Sequence, residues 1–133
     1  MHQKILDKSL QINLSLDLKS MRVSQSAILN EELTQQAKHI GTCFARLRVA
    51  RGFKQDVAAV RAGLSRNTAY RLESGDPGVA VGHLLRYLEV IAPGMTLQEL
   101  LAQTDPSLLV LAIKEKTRRV RDLSSKEISE LDF

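Results

Sequence analysis

The stretch SRNTAYR, residues 65–71, places several hydrogen-bonding side chains close together. Ser65 is a favourable N-cap, which predicts that a helix begins at this point. The outward positions of that helix are all polar: Arg66, Asn67, Thr68, Tyr70 and Arg71. Arginine and asparagine can each form two hydrogen bonds to a base edge, and arginine and hydroxyl groups bind phosphates. The stretch therefore has the chemistry of a nucleic-acid contact.

A three-residue link positions this helix. Gly63, Leu64 and Ser65 separate it from a preceding helix predicted over 54–62. The glycine permits a tight turn, and the leucine can anchor that turn in the core. Two short helices joined in this way form a helix-turn-helix unit. The predicted core positions of the preceding helix are Val57, Ala58 and Val60.

Three further helices complete a five-helix core in which apolar residues recur at helical spacing. The helix over 33–51 ends before Gly52, and the others cover 80–91 and begin at Thr96. Their predicted inward residues are Leu33, Ala37, Ile40, Phe44, Leu47 and Ala50, then Val81, Leu84, Leu85, Leu88 and Ile91, then Leu97, Leu100 and Leu101.

The positive charge is concentrated in one part of the chain. The whole protein has a net charge of +4, whereas residues 34–75 hold eight Lys and Arg against Asp56 and Glu73, a net of +6. A basic segment of this size favours a polyanionic partner. A solvated basic face without a ligand is the alternative.

The N-terminal part shows a different periodicity. SLQINLSLDLKS, residues 9–20, alternates apolar and polar residues, as a half-buried strand does. No second strand of similar quality follows, so we expect two copies of the strand to pair across a homodimer. Strand addition to a partner protein, or an arm that orders only on binding, are the alternatives. The predicted dimerisation residues are Leu10, Ile12, Leu14, Leu16 and Leu18.

The C-terminal part predicts a helix from Asp105 and Pro106 and a mobile polar tail beyond Ser124. The acidic end with Phe133 suits docking onto a basic partner, and a frayed terminus is the alternative. We therefore divide the chain into an N-terminal strand and helical arm (1–33), a helix-turn-helix domain (34–104) and a C-terminal helix with its tail (105–133).

Several classes of function find no support in the sequence. There is no Ser/His/Asp set, no pair of carboxylates and no glycine-rich loop after a strand, so we expect neither an enzyme nor a cofactor. The single cysteine, Cys43, is expected to be a small buried hydrophobe, and His39 and His83 lack metal-ligand spacing. No apolar run is long enough for a membrane span and no signal peptide is evident, so we expect a cytoplasmic protein.

Residues 40–75, IGTCFARLRVARGFKQDVAAVRAGLSRNTAYRLESG, resemble the Cro/repressor-like (XRE) helix-turn-helix regulators. The matching elements are the Gly-x-x-Phe-x-x-Leu-Arg start, the Arg-Gly pair, Gln55, the Ala-Gly-Leu-Ser turn and Leu-Glu-x-Gly. The resemblance covers 34–103, about half the chain, and implies a lambda-repressor-like domain. Residues 74–91 and the C-terminal tail are also similar to HipB-like antitoxins, in which a Gly-x-Pro-x-Val turn precedes the fourth helix.

The resemblance implies roles for individual residues. Base readout falls to Ser65, Arg66, Asn67 and Thr68, with guanine favoured by Arg66 and adenine by Asn67. Phosphate contacts fall to Gln55, Lys54, Arg51 and Arg71, and Tyr70 either contacts the DNA backbone or packs beneath its helix. Three residues depart from the family pattern: Lys54 cannot cap its helix, and Ala58 and Ala69 replace larger apolar residues, a gap that Phe53 or Tyr70 could fill.

These patterns together predict a dimeric, sequence-specific repressor that binds a palindromic double-stranded DNA operator. Within that class the resemblance favours an autoregulating antitoxin that also binds a toxin of the HipA-like kinase class. A free-standing or phage-type repressor without a toxin is the alternative. A protein-interaction module whose DNA surface is unused is another.

Overall fold

The computed structural model describes the backbone of residues 24–131 and their side chains, apart from those of Ser124 and 128–131. The described chain is mainly helical, as predicted. Its helices are α1 (Gln25–Ile28), α2 (Glu31–Ala50), α3 (Gln55–Ala62), α4 (Arg66–Glu73), α5 (Val81–Ile91), α6 (Leu97–Ala102) and α7 (Pro106–Leu131). The five helices of the predicted core correspond to α2–α6. The predicted strand and its residues Leu10–Leu18 lie outside the described residues, and the three-part division of the chain stays a prediction.

The helix-turn-helix unit consists of α3 and α4. Gly63 ends α3 in the left-handed conformation, with φ of 70°, which a side chain would strain. The backbone N–H of Leu64 donates to the Ala59 carbonyl at 2.9 Å, and the Leu64 side chain is buried. Ser65 then caps α4 by accepting a hydrogen bond from the Thr68 N–H at 3.1 Å. The turn is therefore built as its sequence predicts.

The core lies between α2, α3, α4 and α5, and α3 packs on both α4 and α5. Its largest fully buried side chains are Tyr87, Phe44, Leu47, Leu88 and Ile91. The rings of Phe44 and Tyr87 are tilted by 53° with their centroids 6.1 Å apart, a favourable aromatic arrangement. Phe53 packs at the edge of the core, whereas Tyr70 is exposed. Of the two residues that could fill the space beside Ala58 and Ala69, only Phe53 is therefore near the core.

Two glycines allow α2 to contact the end of α4 through their backbones. A Cβ on Gly41 would lie 2.4 Å from the Gly75 backbone nitrogen, and one on Gly75 would lie 2.5 Å from the Lys38 Cα. Gly75 also has φ of 80°. Both positions belong to the motif that carries the family resemblance, and their mutual contact gives the physical reason for glycine at each.

A partly buried charged cluster holds the same end of α4. The guanidinium of Arg48 donates to both carboxylate oxygens of Glu73, at 2.7 and 3.0 Å, and to the Phe53 carbonyl at 2.7 Å. The Tyr87 hydroxyl donates to the same carboxylate. Burial and this bond raise the pKa of Tyr87 above its ordinary value. Glu73 is 25 residues from Arg48 in the sequence, so only the folded chain brings this pair together.

Several residues predicted to lie in the core are exposed. Val57 and Val60 face outward, because α3 packs through its small residues, Ala58, Ala59 and Ala62, which allow close approach to its neighbours. The predicted tail beyond Ser124 is helical to Leu131, since a polar sequence without Pro or Gly can continue a helix. The other expected inward residues that are exposed are Leu33, Val81, Leu85 and Leu101.

Candidate nucleic-acid interface

The start of α4 presents two polar side chains to solvent. Arg66 and Asn67 are exposed, and the side chain of Arg66 is 83% accessible. Tyr70 is one helical turn further along and is also exposed. The opposite face of the helix is fixed in the core by Ala69 and Leu72. The fold therefore holds α4 rigidly while its guanidinium, amide and phenol groups point outward.

The other two predicted base-reading residues also stabilise the helix start. The hydroxyls of Ser65 and Thr68 are 2.8 Å apart, and the Ser65 hydroxyl also caps α4. Thr68 is half-buried, whereas Ser65 is exposed. Ser65 and Thr68 thus lie beside Arg66 and Asn67, with their hydroxyls already in hydrogen bonds within the protein.

The starts of α3 and α4 lie side by side. A guanidinium nitrogen of Arg66 is 3.8 Å from a carboxylate oxygen of Asp56 in the first turn of α3. Both side chains are exposed, so this long contact holds Arg66 weakly. Gln55 and Lys54 precede Asp56 in the sequence. The contact between Asp56 and Arg66 therefore places these two predicted phosphate-binding residues near a predicted base-reading residue.

The beginning of α3 has backbone donors without a side-chain cap. Lys54 occupies the N-cap position and makes no capping hydrogen bond, as its chemistry predicts. The N–H of Val57 donates to Asp56 at 2.9 Å. A helix start with an incomplete cap is a favourable place for an anion such as a phosphate.

Arg71 contacts an acidic residue of the loop after α4. Its Nε donates to Asp76 at 2.7 Å, and the Gly78 N–H donates to the same carboxylate at 2.8 Å. These hydrogen bonds hold the pKa of Asp76 below its ordinary value, and the bond from Arg71 has the larger effect. Arg71 remains partly accessible, so its outer nitrogens can still meet a ligand.

Arg51 is linked to the start of α7 in a similar way. Its guanidinium donates to both oxygens of Asp105, at 2.8 and 3.2 Å. Ser107 also donates its hydroxyl to this carboxylate, and the hydrogen bonds from Arg51 and Ser107 lower the pKa of Asp105. The contact attaches α7 to the loop that precedes α3.

The folded protein pairs much of its basic segment with acids. Five of the eight Lys and Arg in residues 34–75 are in ion pairs within 4.0 Å, and three of their partners lie outside that segment, at Asp76, Asp105 and Glu115. The guanidinium carbon of Arg61 is 5.7 Å from the centre of the Phe53 ring. The local positive charge around α4 is therefore smaller than a count over the sequence suggests.

Sequence reasoning missed these acidic partners. Asp76 follows Arg71 by five residues, directly after the helix, so its proximity could have been expected. Asp56 lies in the first turn of α3, which the tight turn brings towards Arg66. Asp105 is 54 residues from Arg51, and the sequence holds no signal for that pair.

Within the described part of the chain, the remaining titratable groups do not gather into a second site. Cys43 is buried, which raises the pKa of its thiol, and its sulfur lies 3.6 Å from His39 Nε2. Among the side chains that the structure describes, no group of three from His, Cys, Asp or Glu could hold a metal ion. None of the helices that the structure describes is long and apolar enough to cross a bilayer.

Comparison with known proteins agrees with this geometry. Residues 39–100 match a family model described as a helix-turn-helix domain. The match begins in α2 and ends in α6, so it contains the α3–α4 unit and the core that supports it. Searches of curated proteins and of solved structures gave no match. Residues 39–100 therefore resemble a helix-turn-helix domain both in sequence and in the arrangement of α3 and α4.

Proposed function

We propose that the protein is a sequence-specific DNA-binding repressor that inserts α4 into the major groove. The observation that carries this proposal is the exposure of Arg66 and Asn67 at the start of a helix whose other face is fixed in the core. In helix-turn-helix proteins the second helix of the unit reads base edges with its N-terminal residues. Arg66 then recognises guanine and Asn67 adenine, each bidentate contact contributing about 1–3 kcal/mol of discrimination.

Phosphate contacts orient α4 in this arrangement. Gln55 and Lys54 lie at the start of α3, next to Arg66 through Asp56, and bind one strand of the backbone. Arg71 and Tyr70 contact phosphates on the other side of α4. Arg51 and Arg71 share their guanidinium groups between a phosphate and their acidic partners, which keeps their contribution to affinity modest.

A homodimer on a palindromic operator follows from the size of the unit. One recognition helix contacts only a few base pairs, so two copies on half-sites one helical turn apart provide specificity. The alternating residues Leu10–Leu18 stay a candidate contact between copies. Bound in this way, the dimer represses transcription by excluding polymerase, and it acts by binding without catalysis, cofactor or membrane.

Within this function we favour an autoregulating antitoxin that also binds a toxin of the HipA-like kinase class. The support is the Gly-x-Pro-x-Val turn at residues 75–79 and the tail chemistry, both similar to HipB-like antitoxins. A free-standing or phage-type repressor differs only in lacking this partner. The gene next to the protein's own gene distinguishes them: a kinase-like reading frame supports the antitoxin, and its absence supports the lone repressor.

A protein-interaction module is the second candidate function. The observation in its favour is the pairing of Arg46, Arg48, Arg51, Arg66 and Arg71 with acids, which reduces the charge offered to DNA. Only Arg66 and Arg71 of these lie on α4, and Arg66 is held weakly. We therefore place this function second.

DNA binding is tested by fluorescence anisotropy with a duplex from upstream of the protein's own gene and a shuffled duplex of equal composition. We expect a preference for the upstream duplex, a footprint of palindromic form, and a loss of preference of about 5- to 100-fold in Arg66→Ala. The matched control is Lys38→Ala, which removes an exposed cation from α2. Equal affinity of the wild type for both duplexes would reject sequence-specific binding.

A further inference from the structure

Helix α7 carries an apolar face that the rest of the described chain does not cover. Leu109, Ile113, Val120 and Leu123 are each between 60 and 71% exposed. The helix packs on α2 with a different face, through the half-buried Leu108, Leu111 and Ala112, and Arg46 contacts Glu115 at 3.1 Å. Every described side chain of α7 after Glu115 is exposed.

The exposed residues form a regular stripe. Successive members are separated by four, three, four, three and four residues: Leu109, Ile113, Lys116, Val120, Leu123 and Glu127. This is the 3.5-residue repeat of a coiled-coil seam, and it spans nearly three heptads. We call this set the α7 stripe. An exposed helix end is marginal in water, and a partner helix that covered the stripe would stabilise it.

The charges on the stripe indicate which helix that partner is. The stripe contains one cation, Lys116, and one anion, Glu127, both exposed. If two copies pair antiparallel with Lys116 opposite Glu127, Val120 comes opposite Leu123 in the same register, and the paired segment runs over 116–127, with Leu109 and Ile113 outside it. Each contact then occurs twice about a two-fold axis, as an isologous interface requires. A parallel pair would instead place Lys116 against Lys116 and Glu127 against Glu127.

We propose that α7 pairs antiparallel with α7 of a second copy of this chain, and that this coiled coil is the dimer contact. The inference deepens the proposed function, on which it rests for its biological use, by assigning the surface that joins two DNA-binding units. The apolar centre is small, so we expect a weak dimer that dissociates on dilution. The pairing itself needs no DNA.

The dimer is tested by sedimentation equilibrium of the full chain without DNA, from about 1 to 300 µM. We expect concentration-dependent dimerisation in the wild type and a dissociation constant at least about tenfold higher in the double variant Val120→Glu/Leu123→Glu. The control is Val60→Glu on α3, an equally drastic change at a residue that is 74% exposed. It is expected to dimerise like the wild type, and circular dichroism reports whether each variant is folded.

Two results of this experiment overturn the proposal. One is a wild type that stays monomeric throughout, which would leave the α7 stripe to another protein. The other is a folded double variant that dimerises like the wild type, as pairing through residues 10–18 predicts. A chain lacking residues 1–19 separates the two surfaces further, since we expect it to remain dimeric.

The direction of pairing has its own test. In an antiparallel pair, Lys116→Glu alone places like charges opposite each other, and adding Glu127→Lys restores the attraction. We therefore expect weaker dimerisation in the single variant and recovery in the double variant at low salt. In a parallel pair, residue 116 lies opposite residue 116 of the other copy, so Lys116→Glu replaces a repulsion between two lysines with one between two glutamates. An unchanged dissociation constant in that variant would therefore overturn the antiparallel arrangement. A wild type that dimerises but binds no DNA would count against the proposed function alone.

Discussion

The two ends of α4 use similar residues in opposite ways. At its C-terminal end Glu73 is 6% exposed and joined to Arg48, which is 15% exposed and makes three close hydrogen bonds. At its N-terminal end Arg66 is 83% exposed, and its one contact, with Asp56, is 3.8 Å long. One end of the helix is thus committed to the fold, while the other has hydrogen-bonding capacity left for a ligand.

This difference shows that residue type alone does not identify a DNA-binding arginine. Arg48 and Arg66 are both basic residues near α4, but burial of most of its side chain and three close hydrogen bonds make the first structural. The committed end also includes the backbone contact between Gly41 and Gly75. We therefore expect changes at the C-terminal end to alter stability and changes at the N-terminal end to alter recognition.

The largest effect is expected for Glu73→Ala. It leaves the Arg48 guanidinium and the Tyr87 hydroxyl buried without their acceptor, which should lower the free energy of unfolding by about 3–5 kcal/mol. Urea denaturation followed by circular dichroism measures this value. The control, Glu115→Ala, breaks the exposed pair with Arg46 and should cost less than about 1 kcal/mol. Similar values for both variants would contradict the structural role of the buried cluster.

Gly41→Ala is expected to have the second largest effect. Its Cβ would meet the Gly75 backbone nitrogen at 2.4 Å, so α2 and the end of α4 must separate, at a cost of about 1–3 kcal/mol. Gly82→Ala on α5 is the matched control, because an added Cβ there meets nothing within 4 Å. That control should stabilise the protein by up to about 1 kcal/mol through helix propensity, whereas a stabilising Gly41→Ala would contradict the close contact.

The acidic partners of the interface give a smaller effect. Asp76→Asn and Asp105→Asn remove a negative charge beside Arg71 and Arg51, so each should raise the affinity for DNA of any sequence by about 2- to 5-fold. Glu89→Gln, an acid on α5, is the control and should change affinity less. Anisotropy at two salt concentrations measures the change, and a fall in affinity would show that these acids position their arginines for DNA.

The smallest effect concerns acid stability. The pKa values of Asp76 and Asp105 are lowered in the folded protein. Each carboxylate therefore stabilises the fold at pH values above the pKa of an unfolded aspartate, which is about 4. That contribution is lost as the pH falls through the lower folded values. Asp105→Asn should therefore lose less stability than the wild type between neutral pH and acid. Parallel stability–pH curves for the two proteins would contradict the role of the Arg51 pair.

The sequence predicted the local features well, because they depend on neighbouring residues. The turn of Gly63, Leu64 and Ser65, the cap of α4 and the missing cap at Lys54 all follow from residue chemistry. The start of α4 as the exposed polar surface follows in the same way, since Ala69 and Leu72 fix the buried face.

What the sequence did not predict depends on distant contacts. The apolar pattern of α3 contains Val57, Val60 and three alanines, and only the packing of α4 and α5 selects the alanine face. Tyr87 was not recognised as the largest core residue, because a tyrosine is buried only if its hydroxyl finds a hydrogen-bond acceptor. That acceptor is Glu73, fourteen residues away in the sequence. The neutralisation of the basic segment likewise required Asp105 and Glu115 from beyond it.

A double-mutant cycle between α4 and the operator tests the central claim most directly. The affinities of wild type and Arg66→Ala are measured for an operator duplex and for duplexes with each base pair replaced in turn. We expect the two effects to couple by about 1–3 kcal/mol at one base pair in each half-site and to add elsewhere. Additive effects at every base pair, with a folded variant, would show that Arg66 reads no base and that the exposed start of α4 is not the recognition surface.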